Sequence, residues 1–324
     1  MEKSDKFDIE FLKTNEIMIP RLFQKLLDRS IFRNSPGAKA ELSAYLASKN
    51  SDFIYSVCGP LGTTKLFPNK VLAWTFKIPA PSLKKSIQLS YKENILNKSA
   101  GFFCLTPSAE SYFSQFAPSI FIPWCVDMDL FDPKKEIDND DSKPFFLATG
   151  KTERDYETLI KSAHNVAAEI RIIAPNYQKP TQLPANINWV DSSVDPPDQA
   201  IDYPTLRKWY SQCKAVCIPL TGNPKDTSGY TNMLEAMAMS KPVLMTDSGC
   251  LHTNPENGGY GELIQPQDYH GWSISMNRIL NNNEKSKLCG QRGRKLAEIN
   301  FTLNKFNINF LSAFNHIIAD NYTK

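Results

Sequence analysis

Long hydrophobic runs are absent from the sequence, since no apolar stretch comes near the roughly 20 residues that a membrane-spanning helix requires. The first residues, MEKSDKFDIEF, carry charges where a secretory signal peptide would have its apolar core. Together these two absences predict a cytoplasmic protein. Peripheral contact with a membrane surface stays open as an alternative.

Metal-binding and common catalytic motifs are also absent. The seven cysteines form no CxxC pair, and the four histidines show no metal-ligand spacing. Several cysteines lie in apolar runs, which indicates reduced core thiols of a cytosolic protein. We therefore predict no metal site. The sequence also lacks the GxGxxG dinucleotide fingerprint, the Walker phosphate loop and the nucleophile elbow of hydrolases.

Acidic residues are missing from one long stretch, so the charge is uneven along the chain. Residues 1–125 carry 16 Lys and Arg against 10 Asp and Glu (+6), whereas residues 126–324 carry 21 against 24 (−3). Between Phe53 and Lys92 there are six lysines and no acid. A solvated basic surface explains this pattern, and attraction of an anionic acceptor or an anionic membrane surface is the functional alternative. Because the recognition motifs of nucleic-acid-binding proteins are absent, we predict no nucleic-acid partner.

What the chain does have is a regular alternation of strands and helices in its second half. Short apolar strands alternate there with amphipathic helices from Phe145 to Thr246. This pattern predicts a parallel sheet covered on both faces, with ligands bound at the carboxyl ends of its strands. The first half indicates a mixed α/β domain, and the polar stretch from Asp132 to Pro144 indicates a linker. Two helices, about Glu284 to Ile299 and Leu303 to Ile318, are predicted to close the chain.

The strongest local signal is the segment DTSGYTNMLEAMAMSKPVLMTDSG, residues 226–249. It predicts a polar loop that leads into a helix, whose free backbone N–H groups near Gly229 suit a phosphate. Thr231 and Glu235 are four residues apart and share one helix face. The hydroxyl is then placed for a phosphate and the carboxylate for a ribose diol. An ordinary βα unit with a conveniently placed glutamate is the alternative.

A second signal is FFLATGKTERDY, residues 145–156, in which a strand ends at a glycine and two cations follow. Lys151 and Arg154, three residues apart after the strand end, are placed to stabilise an anionic group. Two exposed cations in a loop are the alternative interpretation.

The segment EAMAMSKPV, Glu235 to Val243, resembles the donor-binding signature of GT-B glycosyltransferases, in particular the retaining enzymes of family four. The family form is Glu-Gly-Phe-Gly, four residues, then Glu-Ala-Met-Ala-x-Gly-Lys-Pro-Val. PWCVDMDLFDP, residues 123–133, is similar to the segment that ends the first domain of these enzymes. The resemblance covers about residues 118–301. Serine replaces a family glycine at Ser240, and Thr227 stands where the first family glutamate would be.

The resemblance implies an α/β, GT-B fold of two Rossmann-like domains facing across a cleft, with an N-terminal domain that is short or lacks its first strand. The implied parts are an acceptor-side domain over residues 1–125, a linker over 126–144 and a nucleotide-sugar domain over 145–302. A C-terminal helix over 303–324 is expected to pack back on the first domain. The residues implied to bind the donor are Gly150, Lys151, Arg154, Ser228, Gly229, Tyr230, Thr231, Asn232 and Glu235. Among these, the resemblance assigns the catalytic roles to Lys151, Arg154 and Glu235.

We therefore predict a hexosyltransferase-type glycosyltransferase that uses a nucleotide diphosphate sugar as co-substrate, with no cofactor and no metal. Carboxylates are scarce in the first half after Asp52, where only Glu93 and Glu110 remain. A general base for an inverting attack is then hard to find, which favours retention. Two alternatives stay open. One is a sugar-nucleotide epimerase on the same fold. The other is a degenerate nucleotide- or partner-binding protein, suggested by the missing first glutamate, the missing glycine-rich N-terminal loop and the absence of histidine from residues 1–125.

Overall fold

The computed structural model describes residues 8–12, 17–29, 36–79, 85–135, 143–193, 201–248 and 251–322. The chain divides into two compact units. The first consists of Met1–Ile122 together with Leu311–Lys324, and the second of Pro123–Phe310. Each unit is built on one parallel β-sheet, so the predicted α/β class with two parallel sheets is confirmed.

The helices and strands are numbered in chain order. The helices are α1 Arg21–Arg29, α2 Ala38–Ala47, α3 Lys85–Asn94, α4 Pro107–Phe113, α5 Tyr156–Ser162, α6 Tyr203–Gln212, α7 Tyr230–Ala238, α8 Tyr269–Asn281, α9 Asn283–Asn300 and α10 Leu303–Tyr322. The strands are β1 Ile54–Ser56, β2 Val71–Thr75, β3 Gly101–Cys104, β4 Ser119–Phe121, β5 Phe145–Thr149, β6 Glu169–Ala174, β7 Ile187–Asp191, β8 Val216–Ile218, β9 Val243–Thr246 and β10 Gly261–Ile264.

The first unit contains four strands in the order β1-β2-β3-β4, all parallel. Every residue of β2 and β3 is buried, as expected for strands that are covered on both faces. The end of α10 belongs to this unit. There Ile317 is fully buried, and it lies so close to Gly101 that a Cβ at that glycine would stand 2.5 Å from Ile317 Cγ2. Glycine at the start of β3 therefore makes room for the helix.

The second unit contains six parallel strands in the order β10-β9-β8-β5-β6-β7. One face of the sheet is covered by residues of α7 and α9, such as Met233, Met237 and Ala297. The other face is covered by α5 and α8, through residues such as Leu159 and Trp272. These two layers account for the apolar strands of the second half, because the central strands β5, β8 and β9 are buried from both sides.

Some boundaries differ from those predicted by the sequence. Val126 and Phe131, inside the predicted linker, are buried in the core of the second unit. Residues 136–142 of that linker lie outside the described residues. The predicted domain bounds therefore stay a prediction. A helix is present at Arg21–Arg29, whereas residues 13–16 and 30–35 on either side are not described.

Candidate functional site

The strand order of the second unit reverses beside β5. From β5 the chain continues through β6 and β7 on one side, and then returns to place β8 on the other side of β5. In parallel sheets such a switch point opens a crevice at the carboxyl ends of the two central strands. The loop from Gly150 to Arg154 follows β5, and the residues from Pro219 to Gly229 follow β8. Both sequence signals are therefore brought to this switch point.

Gly150 allows the guanidinium of Arg154 to fold over the end of β5. Its φ is 118°, a conformation that L side chains rarely adopt, and a Cβ there would collide with the guanidinium. Arg154 donates from Nε to the Thr149 carbonyl at 3.0 Å and from Nη1 to the Thr152 carbonyl at 2.9 Å. Burial lowers the pKa of Arg154 from its ordinary value, and the nearby Tyr156, Tyr210 and Asp226 oppose that shift. The guanidinium is thus a fixed cation of the loop.

Lys151 lies on the same loop with a different environment. It is exposed, and its backbone carbonyl accepts a hydrogen bond from Gln178 Nε2 at 2.8 Å. The loop conformation is held while the ammonium group stays in solvent, so Lys151 can move towards a ligand and Arg154 is already in place.

Asn232, in the first turn of α7, connects the two signals. Its Oδ1 accepts from Arg154 Nη2 at 2.5 Å, and its Nδ2 donates to Thr149 Oγ1 at 2.6 Å. The same Nδ2 lies 3.3 Å from Glu235 Oε2. Gly150, Arg154, Asn232 and Glu235, four of the predicted residues, therefore belong to one continuous cluster.

Glu235 lies one turn deeper along α7. Its Oε2 also accepts from the Tyr210 hydroxyl at 2.6 Å. Burial raises the pKa of Glu235 to about 6, and the hydrogen bonds from Tyr210 and Asn232 oppose that shift. Burial is also the main cause that raises the pKa of Tyr210 well above its ordinary value. The tyrosine therefore stays a hydrogen-bond donor, and the glutamate can accept a further donor when it is ionised.

The N-terminus of α7 is shaped by Gly229, the N-cap residue. Its φ is 87°, and a Cβ there would stand 2.6 Å from Ile218 Cγ2, so both conformation and packing require glycine. Glycine brings no side chain to cap the helix, which leaves first-turn backbone N–H groups as donors for an anion. Just before it, the Asp226 carboxylate accepts from Ser228 N at 2.8 Å and from the Ser228 hydroxyl. This turn fixes the loop that leads to the helix.

Thr231 and Tyr230 are placed differently although they are neighbours. Thr231 is exposed in the first turn of α7, four residues before Glu235. The Tyr230 side chain is buried, with its ring against Phe301 at 6.4 Å between centroids and its hydroxyl 3.4 Å from both ring nitrogens of His252. The Tyr230 side chain therefore belongs to the core, and only its backbone lies at the helix N-terminus.

Hydrogen bonds join the loop that follows β5 to the loop that follows β8. Thr221 Oγ1 donates to Glu153 Oε2 at 2.5 Å, and Thr221 N donates to the Glu153 carbonyl at 3.1 Å. Asp155 N donates to the Pro219 carbonyl at 3.1 Å. Because the two loops are joined, the loop from Gly150 to Arg154 and the N-terminus of α7 keep a fixed separation before any ligand binds.

Three residues of the cluster were not predicted as site residues. Thr149 is the last residue of β5, and the rule that ligands lie at strand ends could have indicated it. Tyr210 is fully buried on α6, and it reaches Glu235 only because the sheet brings α6 beside α7. Asp226 precedes the predicted loop and acts on its backbone.

Neither a metal-binding cluster nor a membrane-spanning helix is found among the residues that the structure describes. Within the described ranges, no group of three or more His, Cys, Asp or Glu residues is arranged to hold a metal ion. No helix in the described part of the chain combines the length and apolar character needed to cross a membrane.

Comparison with known proteins identifies the domain that carries this site. Residues 144–282 match the family model of glycosyl transferases group 1. This range contains both sequence signals and all six strands of the second sheet, β5 to β10. No curated protein sequence matches the chain.

Solved structures share the fold over most of the chain. Sucrose-phosphate synthase from Thermosynechococcus elongatus superposes with a TM-score of 0.67 at 16% identity, over 94% of this chain and 81% of that one. A glycosyltransferase from Rickettsia africae gives 0.63 at 13% identity, over 98% and 84%. Anabaena HepE in complex with UDP gives 0.61 at 14% identity, over 91% and 89%. Residues 144–282 thus form a glycosyl transferases group 1 domain, and the chain has the GT-B fold of the glycosyltransferases on which it superposes.

Proposed function

We propose that the second unit binds a nucleotide diphosphate sugar and that the enzyme transfers the sugar to an acceptor hydroxyl. The observation that carries this proposal is the cluster at the switch point. A half-buried guanidinium, an uncapped helix N-terminus and a carboxylate one turn deeper are linked there through Asn232.

The diphosphate is assigned to Arg154, Lys151 and the N-terminus of α7. Arg154 is fixed near the end of β5 by two backbone carbonyls, so it loses little freedom when it meets a phosphate. The N–H groups after Gly229 and the exposed Thr231 hydroxyl add neutral donors. Ser228 shapes the same loop through Asp226. We propose that these groups neutralise the diphosphate without a divalent cation.

Glu235 is assigned to the ribose. Its Oε2 is held by Tyr210, so the carboxylate has a fixed orientation and its ionised form accepts a hydrogen bond from a ribose hydroxyl. The nucleotide base and the sugar of the donor are proposed from the comparison with solved structures. Anabaena HepE structures contain UDP, and UDP-glucose in one case. We therefore propose a uridine diphosphate sugar as the first donor to test.

For the chemical step we propose retention of the anomeric configuration. The bond between the anomeric carbon and the β-phosphate oxygen breaks, and the acceptor oxygen bonds to the same face of that carbon. The acceptor proton passes to an oxygen of the departing diphosphate. Lys151 and Arg154 stabilise the charge that builds on this leaving group. A carboxylate base is then unnecessary, in keeping with Glu110, whose Oε1 already accepts from Phe121 N at 2.9 Å.

Acceptor binding is assigned to the first unit. The acid-free stretch with six lysines between Phe53 and Lys92 favours an anionic acceptor through long-range attraction.

The test is a calorimetric titration of the full chain with UDP, GDP, ADP and TDP, with and without EDTA, followed by assay of UDP-glucose turnover. We expect one diphosphate to bind equally well with EDTA. Lys151→Ala should weaken that binding by roughly tenfold, because one cation on a phosphate is worth about 1–2 kcal/mol. Lys287→Ala, which removes an exposed lysine of α9, serves as the control.

The remaining outcomes separate the alternatives. Binding that disappears with EDTA would contradict metal independence. Binding without turnover of any donor, with every acceptor tried, would favour the degenerate binding protein. Release of a nucleoside diphosphate without sugar transfer would favour the epimerase. Failure of all four nucleotides to bind would overturn the proposal.

A further inference from the structure

Helix α1 exposes large apolar side chains to solvent. Leu22 is 78% exposed, Phe23 56% and Leu26 61%, and no residue of the helix is buried. All three lie within the nine positions of this helix. A soluble protein has no structural need for this arrangement, because lysine or glutamate would serve the helix equally well.

The helix is nevertheless fixed to the first unit by its opposite face. Gln24, Leu27 and Asp28 are half-buried, and Asp28 Oδ1 accepts from Ala38 N, the first residue of α2, at 2.7 Å. At 100° per residue, these three positions lie on one side of the helix, and Leu22 and Leu26 lie on the other. The exposed apolar face is therefore directed away from α2 by the way the helix is attached.

Cations border this apolar face. Arg21, Lys25 and Arg29 are exposed and occupy the arc next to Leu22. Asp28 is the one acidic residue of α1, and its carboxylate is used at the start of α2. The exposed side of the helix is thus apolar along its middle and positive along one edge.

We propose that α1 docks the enzyme on an anionic membrane surface, with Leu22 and Phe23 entering the interface and Arg21, Lys25 and Arg29 among the lipid headgroups. A helix with an apolar face and a basic edge lies in a membrane interface in this way. The excess of positive charge over residues 1–125, +6, attracts the same surface over a longer range. A second copy fits less well. Two cationic edges would repel each other, and three side chains offer much less than the roughly 800 Å² per partner of a stable interface.

The test is flotation of the full chain with vesicles of phosphatidylcholine, with or without about 30 mol% phosphatidylglycerol. We expect binding to the anionic vesicles that weakens as salt is added. The double variant Leu22→Gln, Phe23→Gln should bind at least tenfold more weakly, because each side chain contributes apolar area to the interface. The control is Leu288→Gln, Ile299→Gln on α9, where the two side chains are 48% and 56% exposed.

Circular dichroism and thermal melting check that each variant is folded. The proposal is overturned if the wild-type chain does not float with anionic vesicles, or if the control variant loses binding to the same extent. It is also overturned if light scattering finds a dimer that the α1 variant abolishes while vesicle binding is absent. Vesicle binding needs no sugar donor, so this result is independent of the nucleotide titration.

Discussion

The environment of Glu235 changes the acidity of its carboxyl group. Its pKa is raised from 4.5 to about 6 because the carboxylate is buried. The folded protein then holds the proton more tightly than the unfolded chain. Glu235 therefore contributes stability that is fully present below pH 4.5 and is lost as the pH rises through about 6.

The corresponding prediction concerns Glu235→Gln, which is neutral at every pH. Relative to wild type, this variant should gain stability between pH 4.5 and about pH 7, by up to about 2 kcal/mol. Urea unfolding across this range measures the difference. Glu93→Gln, at an exposed position of α3, is the matched control for the loss of a glutamate charge. Parallel stability curves for Glu235→Gln and wild type would show that burial does not raise this pKa.

At the residue scale, the sequence predicted those site residues that can be recognised from their immediate neighbours in the chain. Gly150 follows a predicted strand, Gly229 precedes a predicted helix, and Glu235 lies in a motif of nine residues. Thr149 and Tyr210 could not be assigned in this way. Their contacts to Asn232 and Glu235 join residues 25 to 83 positions apart and exist only after the sheet has formed.

Between secondary-structure elements, α9 lies very close to the residues that end α7. α7 ends with Ser240 N bonded to the Met237 carbonyl and Lys241 N bonded to the Ala236 carbonyl, which is the Schellman pattern. Ser240 has φ 55°, the left-handed conformation that glycine adopts most easily, where the resembling family carries glycine. Gly290 of α9 lies against the Ser240 carbonyl, and a Cβ there would overlap with it.

We predict that Gly290→Ala destabilises the second unit by about 2 kcal/mol or more, because the new methyl group must push α9 away from the Ser240 backbone. Gly293→Ala is the matched control on the same helix. Its Cβ would meet Tyr260 Cβ at 3.2 Å and Met237 at 3.4 Å, so mild strain is offset by the higher helix propensity of alanine. Urea unfolding of both variants tests this. Equal effects at the two positions would contradict the close approach.

Elements were predictable where apolar periodicity was strong. The strands and helices from β5 to β9 and both closing helices match the sequence predictions within a few residues. β10 and α8 were missed. β10, GELI, carries a charge and has only one buried residue. α8 contains glycine, serine and asparagine, which are weak helix formers, although its buried Trp272, Met276 and Ile279 have helical spacing.

In the molecule as a whole, α10 belongs to both units. Its first residues pack in the second unit, where Phe306 contacts Trp124 at 5.4 Å between ring centroids. Its last residues belong to the first unit, where Ile317 is fully buried and the Phe314 ring lies 6.4 Å from that of Phe103. The stability of the first unit therefore depends on a segment from the other end of the chain.

We predict that Ile317→Ala costs the first unit about 2–4 kcal/mol, the usual loss for a large buried side chain. Hydrogen exchange should then be faster in peptides that contain β2 and β3 and unchanged in those that contain β5. Ile308→Ala on the same helix, where the side chain is 58% exposed, is the control. Loss of protection in both sheets alike would indicate that the two units unfold together.

The split of the first unit also determines the order in which the chain can fold during synthesis. Residues 1–122 leave the ribosome before the second unit, but the helix that covers Gly101 is made only after the whole of Pro123–Phe310. The second unit is continuous and can form its sheet while the earlier residues still lack their last segment. The first unit is therefore completed only after the second unit has been synthesised, and its apolar strands lack that helix during the synthesis of nearly two hundred residues.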